Sequence, residues 1–360
     1  MQVLYAVYGG IQVALVALWA GPSTITTRAS VANAVVSLVA ACALGILSFI
    51  EHQRTIRPSF ILETFLLLTL FFDIAHSRTL WLSHYQPTIA AVTSVSTGIK
   101  LGLMVVEAIS KRSVLRKGSQ GTSTEATSGF YARTFFWWLN PLFRKGWSKS
   151  LAVEELFPLD KHLTTSFLYD AVKGPWDNLS SKGPRSLLYL FFRRFKWYFL
   201  CVVPPRLGYI GFTFSQPFLI SEAIALVDQP INKSTDNAAY GMIGAYIIVY
   251  MGIAITMAQF QHWTYRSITM ARGGLISMLF NKTTLVKPND VDPSSSLTLM
   301  SADIERITTG WQHMHEIWAN SLEVALAIYL LERQLGAACA IPLSVAVGMF
   351  MKYIEPIVFG

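Results

Sequence analysis

Residues 130–160 read FYARTFFWWLNPLFRKGWSKSLAVEELFPLD. Four aromatics run together from Phe135 to Trp138, Asn140-Pro141 follows, and Arg144, Lys145, Trp147 and Lys149 come next. The stretch is too polar to cross a bilayer. Its mixture of Trp and Phe with Lys and Arg suits the headgroup level of a cytoplasmic leaflet. Asn140-Pro141 is expected to break whatever precedes it. A buried aromatic turn in a soluble domain is the competing reading, and what lies on either side argues against it.

On both sides the chain is apolar. Of its 360 residues 52% are hydrophobic and only 14% charged, against about 25% charged in soluble domains; the mean hydropathy is +0.43. Runs near the bilayer-spanning length cover 4–20, 31–50, 58–74 and 88–109 before the stretch. After it come 187–227, 239–261, roughly 311–331, and 335–350. This predicts an all-α, polytopic transmembrane helix bundle. The run 187–227 exceeds one crossing and carries Arg193, Arg194 and Lys196 early, so its first third is expected to lie outside the membrane. The loop between the third and fourth spans is placed at 73–87.

The net charge of +8 follows from topology. If 110–186 is cytoplasmic, alternation leaves about 23 of the 29 Lys and Arg on that side, a strong positive-inside bias. Both termini then fall in the cytoplasm. No soluble basic face suggests nucleic acid. Cys42, Cys201 and Cys339 lie in apolar runs without metal or disulfide spacing. No cleavable leader is evident, and Met1 opens directly into an apolar segment, as if something upstream were missing. Of the sequons only Asn232 falls on the outer side, a candidate glycan site.

Residues 261–311 are too polar for membrane yet keep helical spacing, with Ile268, Leu275, Met278, Leu279 and Thr283 toward one side. Pro288 and Pro293 mark a turn near 288–296. Two spans are therefore expected to continue out of the bilayer as long paired helices.

Four separated motifs carry a resemblance: Phe136-Trp137-Trp138-Leu139-Asn140-Pro141-Leu142; Glu154-Glu155-Leu156-Phe157-Pro158-Leu159-Asp160; Leu299-Met300-Ser301 with Asp303, Arg306 and Ile307; and Glu332-Arg333-Gln334-Leu335-Gly336. They occur in the order found in the C family of ABC transporters, the multidrug-resistance-associated, conjugate-exporting type, and the chain resembles fungal members most. The resemblance implies an N-terminal membrane domain at 1–110 lacking its first helix, and a cytosolic linker with lasso and elbow elements at 111–186. It implies a partial type-1 exporter membrane domain at 187–360, with its first coupling loop at 288–296. Pro288, Asp290, Asp292, Ser301, Asp303 and Arg306 form that coupling region. Trp137, Trp138, Asn140, Pro141, Arg144, Lys145 and Asp160 form the interfacial linker. No G-x-x-x-x-G-K-[ST] phosphate loop occurs in the sequence, so no cofactor is expected on this chain. ATP and Mg²⁺ are implied only for the intact family, and the chain is expected to be truncated before its nucleotide-binding domain. Expected partners are membrane lipids and that domain, or another membrane protein; the expected location is the plasma or vacuolar membrane. A non-transporting, partner-docking scaffold is the rival function.

Individual residues sharpen this picture. Arg206 follows Pro204-Pro205 inside a span, where a charge costs about 2.5–3.5 kcal/mol on insertion scales. It either faces a substrate path, suiting anionic conjugates, or pairs with a carboxylate. Gln216, Asn320 and Glu323 join it as path candidates. Lys100 and Glu63 are expected to pair between two N-terminal spans. His313, His315 and Glu316 lack metal-site spacing, and both histidines are expected to face solvent or line a cavity. Asp303 and Arg306 are expected to form an i,i+3 pair that stiffens the stalk.

Overall fold

Among the described residues every regular element is a helix. The computed structural model describes residues 2–21, 28–54, 60–83, 86–109, 123–179, 183–230, 232–285, 298–336 and 344. They belong to two units, Met1–Lys161 and His162–Gly360.

The first unit is built on α1 (Gln2–Trp19), α2 (Arg28–Arg54), α3 (Phe60–Ser83) and α4 (Pro87–Ala108). All four are long and apolar enough to cross a membrane. α1 packs on α2 and α4, and α3 on α4, around Tyr5, Tyr8, Leu62, Leu66 and Leu103. The expected loop at 73–87 is mostly helix, because α3 continues to Ser83. Its polar residues need no solvent there. Thr79 Oγ1 donates back to Ala75 O at 2.9 Å, Ser77 and Ser94 share a 2.8 Å hydrogen bond, and Trp81 Nε1 donates to Ser94 Oγ at 2.9 Å. Pro87 opens α4 in its first turn, where its missing N–H costs nothing.

The aromatic stretch folds as α5 (Thr124–Thr127), α6 (Phe130–Thr134), a 3₁₀ turn Trp137–Leu139 and α7 (Asn140–Ser148). Ser123 Oγ caps α5 by accepting from Ala126 N at 3.3 Å. Gly129 is required by close approach, since a Cβ there would lie 1.8 Å from the Ala108 carbonyl oxygen. Phe136 adopts a left-handed φ of 58°, an uncommon choice for a bulky residue, and turns the chain between α6 and the 3₁₀ segment. Asn140-Pro141 opens α7 and does not interrupt the chain, since the 3₁₀ turn Trp137–Leu139 runs directly into it with Leu139 and Asn140 both right-handed helical.

The second unit contains α8 (Thr165–Asp177), α9 (Pro184–Leu200), α10 (Val203–Val227), α11 (Lys233–Leu285), a π-helical turn Leu299–Asp303 and α12 (Ile304–Leu335). The over-long run 187–227 is thus two helices, broken at Cys201-Val202. Pro204 and Pro205 sit in the first turn of α10, where proline is tolerated. α10 and α11 meet closely: a Cβ on Gly252 would lie 2.6 Å from the Phe212 ring, so only a residue without one lets the helices approach this far.

α11 has 53 residues, about 80 Å of helix against a hydrocarbon core of about 30 Å. Its polar half is packed against α8, α9 and α12. Leu168, Val172, Phe191, Phe195, Met270, Ala271, Leu275, Ile304 and Trp311 form a buried core there. Of the expected face, Leu275 is buried and Ile268, Met278 and Leu279 pack against this core. Met270 and Ala271 are its deepest α11 residues, at 0% and 2% exposed.

α10 and α11 join α1–α4 as helices long and apolar enough to span a membrane. The expected span 311–331 lies inside α12, but α12 does not reach that apolarity, since His313, His315, Glu316, Asn320 and Glu323 interrupt it. The expected span 335–350 and the turn at 288–296 fall largely or wholly outside the described residues.

Candidate functional site

Arg206 lies one turn into α10 and is 5% exposed. Its Nη2 donates to Glu316 Oε2 at 2.7 Å and to Asn320 Oδ1 at 3.4 Å, and lies 3.2 Å from Glu323 Oε1. The guanidinium carbon sits 5.2 Å from the ring centroids of both Tyr209 and Phe260, within cation–π range. Glu316, Asn320 and Glu323 are spaced i, i+4, i+7 along α12 and so share one face. α10, α11 and α12 therefore converge on one buried cation. The side chains of Glu316 and Glu323 are 35% and 30% exposed, that of Arg206 only 6%. What this cluster presents outward is carboxylate; the guanidinium lies behind it.

Of the two readings of Arg206, the structure realises the ion pair. Asn320 and Glu323, named as path candidates, are among its partners. Gln216 lies ten residues further along α10, about 15 Å, and is not among its partners. Glu316, the nearest partner, escaped the sequence reading. It was weighed only beside His313 and His315 as a metal ligand, although its spacing to Asn320 and Glu323 marks it as part of their face.

His313 is exposed and His315 fully buried, so His315 does not face solvent. Its ring lies 4.0 Å from that of Phe199 and its Nδ1 accepts from Trp318 Nε1 at 3.3 Å. Among the described residues no group of His, Cys, Asp and Glu is arranged to hold a metal. Below this, Trp311 stacks on Phe192 at 4.6 Å and donates to Ser267 Oγ at 3.3 Å, tying α12 to α9 and α11.

At the far end of the rods Asp303 and Arg306 come within 3.8 Å, with side chains 45% and 84% exposed. Such a pair contributes little. The cross-link between rods is another pair, Arg272 with Glu305 at 3.3 Å. Ser301 is exposed within the π-helical turn. Pro288, Asp290 and Asp292 lie outside the described residues.

No protein-family model matches the chain. Individual proteins do. It is 50% identical over 341 residues, 94% of its length, to ABC multidrug transporter B of Aspergillus fumigatus. It is 43% identical over 336 residues to an ABC-type transporter of Gibberella zeae, and 40% identical over 341 residues to ABC multidrug transporter lscH of Purpureocillium lilacinum, in each case over 93% of its length. The chain is homologous to fungal ABC transporters. It spans 23%, 23% and 22% of the length of these three relatives. Among the described residues six helices are long and apolar enough to span a membrane, as in a multi-pass integral membrane protein.

In the aromatic stretch, α7 exposes Phe143 and Trp147 at 65% and 94%, beside exposed Arg144 and Lys145. Trp137 is 57% exposed and stacks on Phe135, while Trp138 packs on Phe157. Asn140 and Pro141 are exposed at the start of α7, Asp160 is half-buried, and Lys149 pairs with Glu155. Asn232 is exposed immediately before α11. The expected Lys100–Glu63 pair does not form: Lys100 binds Asp73 at 2.5 Å. Register explains this. α3 and α4 run antiparallel with Ser77 opposite Ser94, which sets Asp73 across from Lys100 and moves Glu63 toward the end of α4. There Glu63 is 1% exposed, and the group it interacts with is the Tyr131 hydroxyl. Glu107 instead accepts from Ser48 at 2.5 Å and Tyr5 at 3.3 Å.

Proposed function

We propose that this chain is the transmembrane part of an ATP-driven exporter of the ABC C family, moving organic anions, conjugates or other xenobiotics and metabolites. The observation that supports this best is the pair of long helices. α11 and α12 meet Arg206 near their middles, at Phe260 and Glu316, and run on from there, about 38 Å along α11, to ends near Leu285 and Leu299. A nucleotide-binding domain acting on those ends would move both helices at the Arg206 level, because Trp311, Ser267 and the Arg272–Glu305 pair lock them together. In this reading ATP and Mg²⁺ bind the partner domain. The ends of the rods, the linker and both termini face the cytoplasm, in line with the Lys and Arg distribution. The plasma or the vacuolar membrane would house it.

The test is a chimera in which this chain replaces the matching segment of the Aspergillus fumigatus relative. Inside-out vesicles should take up a fluorescent organic anion in an ATP-dependent manner. A chimera that reaches the membrane and binds ATP, yet moves no dye while its parent does, would overturn the proposal.

A further inference from the structure

The four-helix bundle of the first unit encloses a cavity of about 340 Å³, at the small end of ligand-binding sizes. α1 stops at Trp19 and α4 begins at Pro87 at one end of the bundle, and Trp19 and Thr93 from that end line the cavity. Lys100, thirteen residues into α4, lies about 20 Å from that end, close to the middle of a bilayer. The wall is mixed. Trp19 and Phe72 supply apolar surface, while Gln12, Ser96, Asp73 and Lys100 supply polar groups. Gln12 Nε2 donates to Ser96 Oγ at 2.8 Å one turn above Lys100.

Lys100 is 5% exposed and has one acceptor among the described residues, Asp73 at 2.5 Å. An ammonium carries three N–H donors, so two are left in a cavity at membrane depth. Donors left bare in hydrocarbon are costly, and ionisable groups inside membranes mark binding or transport sites. Whatever fills the space must bring acceptors. Asp73 already balances the lysine, so a second cation has nothing to meet, whereas an oxyanion can share the ammonium. The aromatic wall fits an apolar tail.

We propose that this cavity binds the oxyanion end of a small amphiphile, with a phosphate-type group at Lys100 and its tail along Trp19 and Phe72. Two sources share that chemistry, a lipid headgroup and a free acid from solution. The site is separate from the Arg206 cluster, so its failure would leave the exporter reading untouched.

The experiment uses the 360-residue chain in a neutral detergent, with melting temperature followed against dihexanoyl phosphatidic acid and, separately, inorganic phosphate. A ligand that binds the folded form raises the midpoint in a saturable way. The wild type should respond to at least one probe: to the lipid alone if the site reads a headgroup, to phosphate as well if it takes a free oxyanion. Asp73→Asn releases the ammonium and should tighten binding about tenfold. The double variant Lys100→Gln/Asp73→Asn keeps a neutral, hydrogen-bonding pair for the fold and should lose binding. Binding that survives in the double variant, or no response of the wild type to either probe, overturns the proposal.

Discussion

Replacing Arg206 with methionine tests whether charge compensation holds the second unit together. Methionine keeps much of the side-chain volume beside Tyr209 and Phe260, and removes the cation with its hydrogen bonds to Glu316 and Asn320. Glu316 and Glu323 then face each other with no positive partner. Breaking a buried ion pair from one side costs about 3–5 kcal/mol. Both glutamates are about one-third exposed, so water relieves part of this and the lower figure, about 3 kcal/mol, applies. For a unit of this size that corresponds to a drop in melting temperature of about 6–12 °C. The companion variant Arg206→Met/Glu316→Gln/Glu323→Gln removes all three charges together and should regain most of the loss, since a neutral set of similar volume replaces a buried ionic one at little cost. Differential scanning fluorimetry in detergent reads both. If Arg206→Met melts with the wild type, or if the triple variant is no more stable than the single one, the cluster is not a buried compensated pair and the reasoning fails.

Other perturbations probe separate contacts. Gly252→Ala pushes a methyl against the Phe212 ring and should destabilise the α10–α11 contact by about 1–3 kcal/mol; pairing with Phe212→Leu should rescue it, and an equal loss in both backgrounds would contradict the packing. Trp311→Ala deletes the ring stacked on Phe192 and the bond to Ser267, at a cost of about 3–5 kcal/mol, whereas Trp311→Phe should keep most of the stability in a thermal melt. Glu63→Gln removes a charge that burial disfavours while keeping an acceptor for the Tyr131 hydroxyl, and should leave the first unit as stable or more so, by about 1 kcal/mol or more; a clear loss would show that its charge is used. A double-mutant cycle on Arg272 and Glu305 should give a coupling of only about 0.2–1 kcal/mol that fades in salt.

How much of this was legible beforehand depends on which force set each feature. The membrane spans were visible because a bilayer imposes length and apolarity on every residue in them, and α1, α2 and α4 begin and end within a few residues of expectation. α3 overran its apolar run because Ser77, Thr79 and Trp81 found partners within the helix or on α4, and hydropathy does not register polar atoms satisfied in place. The long α11 was legible from helical spacing that persists after the apolar run ends. Which of its residues lie deepest was not, because Ala271 is small and its burial is set by helices 70–100 residues upstream. Pairing partners were the least legible. Both Lys100 and Arg206 were marked as costly charges, but their partners depend on helix register, which one sequence leaves open. Asp73 was treated as loop, and Glu316 was considered only beside two histidines.

The Arg206 cluster also bears on how an anion could be recognised. A cation at membrane depth invites the idea that it attracts anionic cargo, yet one guanidinium here answers two carboxylates, and the three groups together carry one negative charge when ionised. The outward faces belong to the glutamates. An anion approaching this level of α10–α12 meets repulsion unless Glu316 or Glu323 swings away. In an exporter whose joined rods shift against α10, the two halves of the cluster lie on different helices, α10 and α12, so sliding them changes how many carboxylates Arg206 answers. Affinity for an anion would then be high in the state that separates the partners and low in the state seen here, a state dependence that a lone, permanently exposed arginine could not supply.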